Sequence, residues 1–117
     1  MNNEKRAAVA FICGNKNRTN LATFLYDYEK KIVRLYSITK NGQTMNIYDI
    51  DKKSYLHVQD GMVYDFDSQS YIQLNFTGNN FNGYDAETQT TFMGEVINDM
   101  IRIYDYEFER FFNYMIT

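Results

Sequence analysis

Nucleophilic hydrolysis needs a base beside a nucleophile, and this chain offers one histidine, His57, and one cysteine, Cys13. His57 stands mid-strand in SYLHVQ, with Ser54 and Asp60 as ordinary local company, and Cys13 lies inside the apolar run AAVAFIC. A Ser-His-Asp or Cys-His site would have to bring His57 to Cys13 or to a serine. Nothing in the pattern does so, and we read His57 as a structural or surface residue and Cys13 as a small core residue. One His and one Cys cannot build the usual closed zinc site. The acids Asp49/Asp51 and Asp65/Asp67 sit two apart, so an extended strand would aim each pair from one face, as a hard cation such as calcium prefers. The EF-hand pattern also needs a third ligand, a Gly and a terminal Glu at fixed offsets, and these loops lack them. No glycosidase-like pair is marked out among the acids. The sequence therefore names no catalytic residue, no metal ligand and no cofactor, and the expectation is a protein that is not an enzyme.

The acids recur for another reason. Tyr-Asp appears at Tyr26-Asp27, Tyr48-Asp49, Tyr64-Asp65, Tyr84-Asp85 and Tyr104-Asp105. Each Asp is followed two residues later by another acid: Glu29, Asp51, Asp67, Glu87 or Glu107. Such repetition outranks local propensity in reading architecture. Each unit reads as a β-hairpin, a strand rich in Ile, Val, Met and Tyr running into an Asp. The Asp side chain can accept from backbone N–H groups two or three residues ahead and open a turn. The returning strand alternates: in SYIQLNF, Ile72, Leu74 and Phe76 face one way and Tyr71, Gln73 and Asn75 the other. Asn41-Gly42, Asp60-Gly61, Thr77-Gly78-Asn79-Asn80 and Asn98-Asp99 supply turns between units.

The expected fold is thus all-β: one domain over residues 1–117, an antiparallel meander of about ten short strands in five hairpins, barrel-like or flower-like. AAVAFIC is read as the first strand. The complete absence of Pro suits a chain that needs its N–H groups in ladders. One alternative stays open. EVINDMIRIYDYEFERFFNYMI also places Val96, Ile97, Met100, Ile101, Tyr104, Phe108, Phe111, Phe112 and Met115 on one helical face, so a C-terminal helix competes with strands there.

GMVYDFDSQSYIQL and its sister units resemble the hairpins of small bacterial domains described as a four-fold β-flower, in which hairpins radiate about a pseudo-symmetry axis. The resemblance is best over residues 47–116. A looser likeness is to the aromatic hairpin repeats of cell-wall and choline-binding solenoids. Both imply an all-β hairpin architecture, and neither implies an activity.

Composition narrows the function classes. Eleven Tyr and nine Phe, with no Trp, supply apolar area with polar tips, suited to binding faces. A net charge of −3 and a pI near 5.0 argue against duplex nucleic acid, which demands clustered bases. A single Cys, and an apolar N-terminal run too short to span a membrane, point to a cytoplasmic protein without a membrane role. The leading expectation is a small acidic protein-interaction module, of bacterial or phage type, for instance an inhibitor, and compatible with a homo-oligomer. The alternative is a small-molecule or nucleotide-binding barrel, with an enzyme of unknown class third. The candidate binding residues are the Tyr column (Tyr26, Tyr48, Tyr64, Tyr84, Tyr104) together with Lys16 and Arg18. Those two bases flank amide side chains in the loop GNKNRTN, residues 14–20, where they could hold a small anion.

Overall fold

The computed structural model describes residues 1–117. One helix, α1 (Asn3–Asn15), precedes ten strands: β1 (Phe24–Asp27), β2 (Ile32–Asn41), β3 (Thr44–Asp49), β4 (Ser54–Gln59), β5 (Met62–Asp65), β6 (Ser70–Thr77), β7 (Asn80–Asp85), β8 (Thr90–Ile97), β9 (Met100–Asp105) and β10 (Arg110–Ile116). Every strand pairs antiparallel with its sequence neighbours, and β1 also pairs with β10, with Leu25 opposite Ile116. The meander closes into a barrel with no free edge. The five Tyr-Asp units are its five hairpins, β1–β2 to β9–β10. Residues 95–116 form the end of β8, then β9 and β10 with the turns between them, so the competing C-terminal helix is absent.

Alternation builds the wall. Ile72, Leu74 and Phe76 turn inward while Tyr71, Gln73 and Asn75 turn out. The same parity recurs as Leu25, Ile47, Val63, Phe81, Ile101 and Ile103 inside. At Asp60-Gly61 both φ angles are positive, 51° and 75°, the conformation of a two-residue type I′ turn. The hairpin turns solve the same problem without glycine. The fourth residue after each Asp (Lys31, Lys53, Gln69, Gln89, Glu109) takes a φ between 54° and 59°. In four of the five hairpins its N–H donates to the Asp carbonyl, at 2.7–2.8 Å.

The run AAVAFIC is not a strand. It forms the middle of α1, and α1 lies inside the barrel, with Lys5 through Asn15 all buried. A helix of thirteen residues is about 20 Å long, close to the rise of a six-residue strand. Small residues let it fit. Ala7, Ala8 and Ala10 are buried, and a Cβ on Gly14 would lie 2.7 Å from Ile116 Cδ1. Asn2 caps the helix by accepting from Lys5 N–H at 2.8 Å. At the other end Lys40 Nζ donates to the Lys16 carbonyl at 2.7 Å, a cation where the helix dipole is negative. On the wall, Phe81 and Phe92 lie over Gly94 and Gly83 of the paired strand, so each glycine leaves room for the opposing ring.

Candidate functional site

Because Tyr and Asp are adjacent in an extended strand, the barrel sends them to opposite faces. The Asp column points in and the Tyr column points out. Asp27, Asp49, Asp65, Asp85 and Asp105 are all buried, lining one mouth of the barrel around the N-terminal turn of α1. The expectation that they bond local backbone holds. Oδ1 of Asp27 accepts from Glu29 and Lys30, that of Asp49 from Lys52, and those of Asp65, Asp85 and Asp105 from Asp67, Glu87 and Glu107. Their carboxylates are nonetheless buried, and a second set of partners meets them there. Lys5 Nζ reaches Asp85 Oδ1 at 2.9 Å and Glu87 at 3.1 Å, and Arg6 Nε reaches Asp105 Oδ2 at 3.0 Å. Met1 nitrogen lies 3.1 Å from Asp105 and bonds Glu107 as well, while Arg34 pairs with Asp27 at 3.0 Å.

Asp65 takes the Ser68 hydroxyl at 2.9 Å, as Asp85 takes Thr88. In the second hairpin the equivalent position is Lys52, which turns to Asp67 at 2.9 Å instead. Asp49 is left without a cation or hydroxyl partner, and desolvation raises its pKa above the ordinary carboxylate value. Its inward neighbour across the β2–β3 ladder is Tyr36, whose buried hydroxyl bonds no protein group. Burial also pushes the Tyr36 hydroxyl up. Lys5 and Arg6 were not singled out by the sequence. The available signal was two bases entering an apolar run in a chain whose acids recur in step with its core residues.

Outside, each Tyr of the column gains neighbours at fixed offsets. The residue two after it and the residue opposite it on the returning strand share its face. Tyr64 meets Phe66 at 4.7 Å and Tyr71 at 4.8 Å, both edge to face. Tyr104 meets Tyr106 at 4.8 Å and Phe111 at 4.9 Å, Tyr26 meets Tyr28 at 4.7 Å, and Tyr48 meets Tyr55 at 4.6 Å. The exception is Tyr84, which stands opposite Thr91 with Ala86 as its offset neighbour. An aromatic belt therefore circles the barrel near the Asp mouth and thins at the fourth hairpin.

The belt is most open over β3–β6. Tyr55, Phe66 and Tyr71 are 57%, 55% and 51% exposed. Phe66 divides two shallow grooves of about 520 and 540 Å³, one toward Asn46, Lys53 and Asp67 and one toward His57, Gln59 and Met62. His57 belongs to this wall, its ring held by Asn46 Oδ1 at 2.7 Å and Gln59 Oε1 at 3.2 Å. Cys13 is inside the barrel, its thiol pushed well up by burial, so the structure does not bring the two together. The acid pairs also separate: Asp49 and Asp65 are buried, Asp51 and Asp67 exposed. Lys16 and Arg18 lie at the opposite mouth, far from the belt, so the Tyr column and the 14–20 loop are separate sites.

Comparison with protein-family models, with curated proteins and with solved structures gives no match to this chain. No helix is long and apolar enough to cross a membrane.

Proposed function

We propose that this barrel is a non-catalytic binding module that recognises a protein partner through the aromatic wall of β3–β6. The observation that supports it is the cluster of Tyr55, Phe66, Tyr71 and Met62, held outward by strand alternation, with grooves on both sides of Phe66. Tyr, Phe and Met are enriched where interface energy concentrates, and rigid rings lose little entropy on docking. Because the barrel is closed, a partner has no strand edge to extend and recognition must run through side chains. The lumen, where a barrel commonly keeps a small ligand, is filled by α1. At mid-height the outer wall carries Asn46, His57, Gln73, Asn75, Asn82 and Asn113, a wet surface rather than the apolar band that lipid requires.

The test compares the native chain with Phe66→Ser and Tyr71→Ser as immobilised baits, followed by affinity measurement on any protein retained. Both side chains are half-exposed, so truncation should leave the unfolding midpoint nearly unchanged. Loss of about tenfold or more in partner affinity with the fold intact supports the reading. A partner that binds all three baits equally sends the interface elsewhere.

A further inference from the structure

The barrel mouth opposite the Asp ring carries a cavity of about 320 Å³, unrelated to the aromatic belt. Its floor is apolar, with Phe76 and Val96 beside Cys13 and Gly14 of the last helical turn. Its rim is built from Lys16, Arg18, Asn79 and Asn98. The sequence around the two bases is uniformly polar, yet burial is not uniform: Lys16 and Arg18 are half-buried while Asn17, Thr19 and Asn20 are exposed. The linker thus brings its two cations to the cavity together with the exposed Asn17, and leaves Thr19 and Asn20 in solvent.

Neither cation is fully engaged. Lys16 Nζ bonds Gln43 Oε1 at 2.9 Å and lies 5.2 Å from the centre of the Phe76 ring, which leaves further ammonium protons without a protein acceptor. Arg18 spends Nε on the Asn20 carbonyl and Nη1 on Asp99, both at 2.9 Å, and its Nη2 donates to no protein group. Asp99 is the more exposed partner of that pair, at 63%, so a competing anion meets little resistance. The balance of charge agrees. In a chain of net charge −3, the residues lining this cavity include Lys16 and Arg18 and no acidic side chain. The size is at the lower end of small-ligand pockets, and the lining is mixed, with polar side chains at the rim beside Cys13, Phe76 and Val96.

We propose that this mouth binds a small organic oxyanion, a carboxylate or phosphate ester with an apolar body. The oxyanion is held by Lys16 and Arg18, the body lies on Phe76 and Val96, and the carboxamides of Asn79 and Asn98 serve the remaining acceptors and donors. Charge-assisted hydrogen bonds supply the discrimination for anions. The site is independent of the aromatic wall, and its failure would leave that reading untouched.

The experiment is an amide-resolved NMR titration of the full chain at constant ionic strength with three probes: benzoate, inorganic phosphate and benzyl alcohol. Benzoate joins charge to an apolar ring, and the other two carry one property each. The expected result is saturable shifts at residues 14–20, 78–79 and 96–98 with benzoate, at an affinity about tenfold or more above either other probe. Lys16→Gln/Arg18→Gln should lower benzoate to the level of benzyl alcohol. Asn98→Asp, which adds a carboxylate to the rim at a left-handed position that Asp tolerates, should weaken benzoate with both bases intact. Unfolding midpoints of both variants are measured alongside. Benzyl alcohol binding as well as benzoate, benzoate binding unchanged in the double variant, or no saturable shift with any probe would overturn the proposal.

Discussion

The five aspartates are equivalent in sequence and unequal in the barrel, so one substitution made at two of them should have two outcomes. At Asp85 the carboxylate is paired with Lys5 Nζ at 2.9 Å, and neither side chain has any exposed surface. Asp85→Asn keeps the shape and the Oδ1 acceptor for the Glu87 N–H but leaves the Lys5 ammonium with a neutral partner. Removing one member of a buried ion pair costs about 3–5 kcal/mol. Lys5 retains Glu87 at 3.1 Å and the Ser70 hydroxyl at 3.1 Å, which places the expected loss at the lower end, about 3 kcal/mol. With a urea m-value of about 1.5 kcal/mol/M, the midpoint should fall by about 2 M. At Asp49 the same change removes a buried carboxylate that has no cation partner while Asn Oδ1 still accepts from Lys52 N–H. Its midpoint at pH 7 should stay level or rise. Adding Lys5→Met to Asp85→Asn should recover most of the loss, because the stranded charge is gone. The assay is equilibrium urea unfolding of the native chain and the three variants by circular dichroism. Equal losses at Asp85 and Asp49, or no recovery in the double variant, would falsify the counter-ion reading of the mouth.

The raised pKa of Asp49 gives a sign to its pH dependence. Between the unfolded carboxylate value and the higher folded one the native chain holds a proton that the unfolded chain has released, so this group's contribution falls as pH rises through that window. Asp49→Asn should remove that slope in unfolding midpoints measured from acid to neutral pH. Gly94→Ala should be strongly destabilising, because the new Cβ would collide with Phe81 Cζ and the Arg102 carbonyl, and thermal unfolding reads the loss directly. Cys13, 3% exposed and with its thiol held protonated by burial, should resist an aromatic disulfide reagent in the native state and react at full rate in denaturant. On the outer wall, Tyr64→Phe should leave the melting temperature nearly unchanged. A fall of about tenfold in partner affinity would assign its hydroxyl to recognition, and unchanged affinity would assign the ring to packing alone.

Period-two alternation was legible in the chain because a barrel wall has one dry face and one wet face. Ile72, Leu74 and Phe76 could be set against Tyr71, Gln73 and Asn75 without coordinates, and the five Tyr-Asp units marked the hairpins. The same parity already held the positions of the two columns. Val63 and Asp65, or Ile103 and Asp105, are two apart and share the inner face, which puts every Tyr of the column outside. What local sequence could not reveal was α1. A helix packed on all sides has no polar face and hence no amphipathic period, so AAVAFIC reads equally well as a buried strand. Its signals were slight: Asn2 as cap, Glu4 in the first turn, and a run of alanines too small to serve a barrel wall. Closure is also a tertiary fact, since the pairing of Leu25 with Ile116 joins residues at opposite ends of the barrel sequence. Once the barrel closes around the helix, three of the five acids that open turns, Asp85, Asp105 and Asp27, become counter-ions for Lys5, Arg6 and Arg34. The two linker cations, Lys16 and Arg18, meanwhile come to the rim of a cavity at the opposite mouth. Turn chemistry is local and is written residue by residue. Counter-ion choice and cavity shape depend on which distant side chains the closed wall forces together.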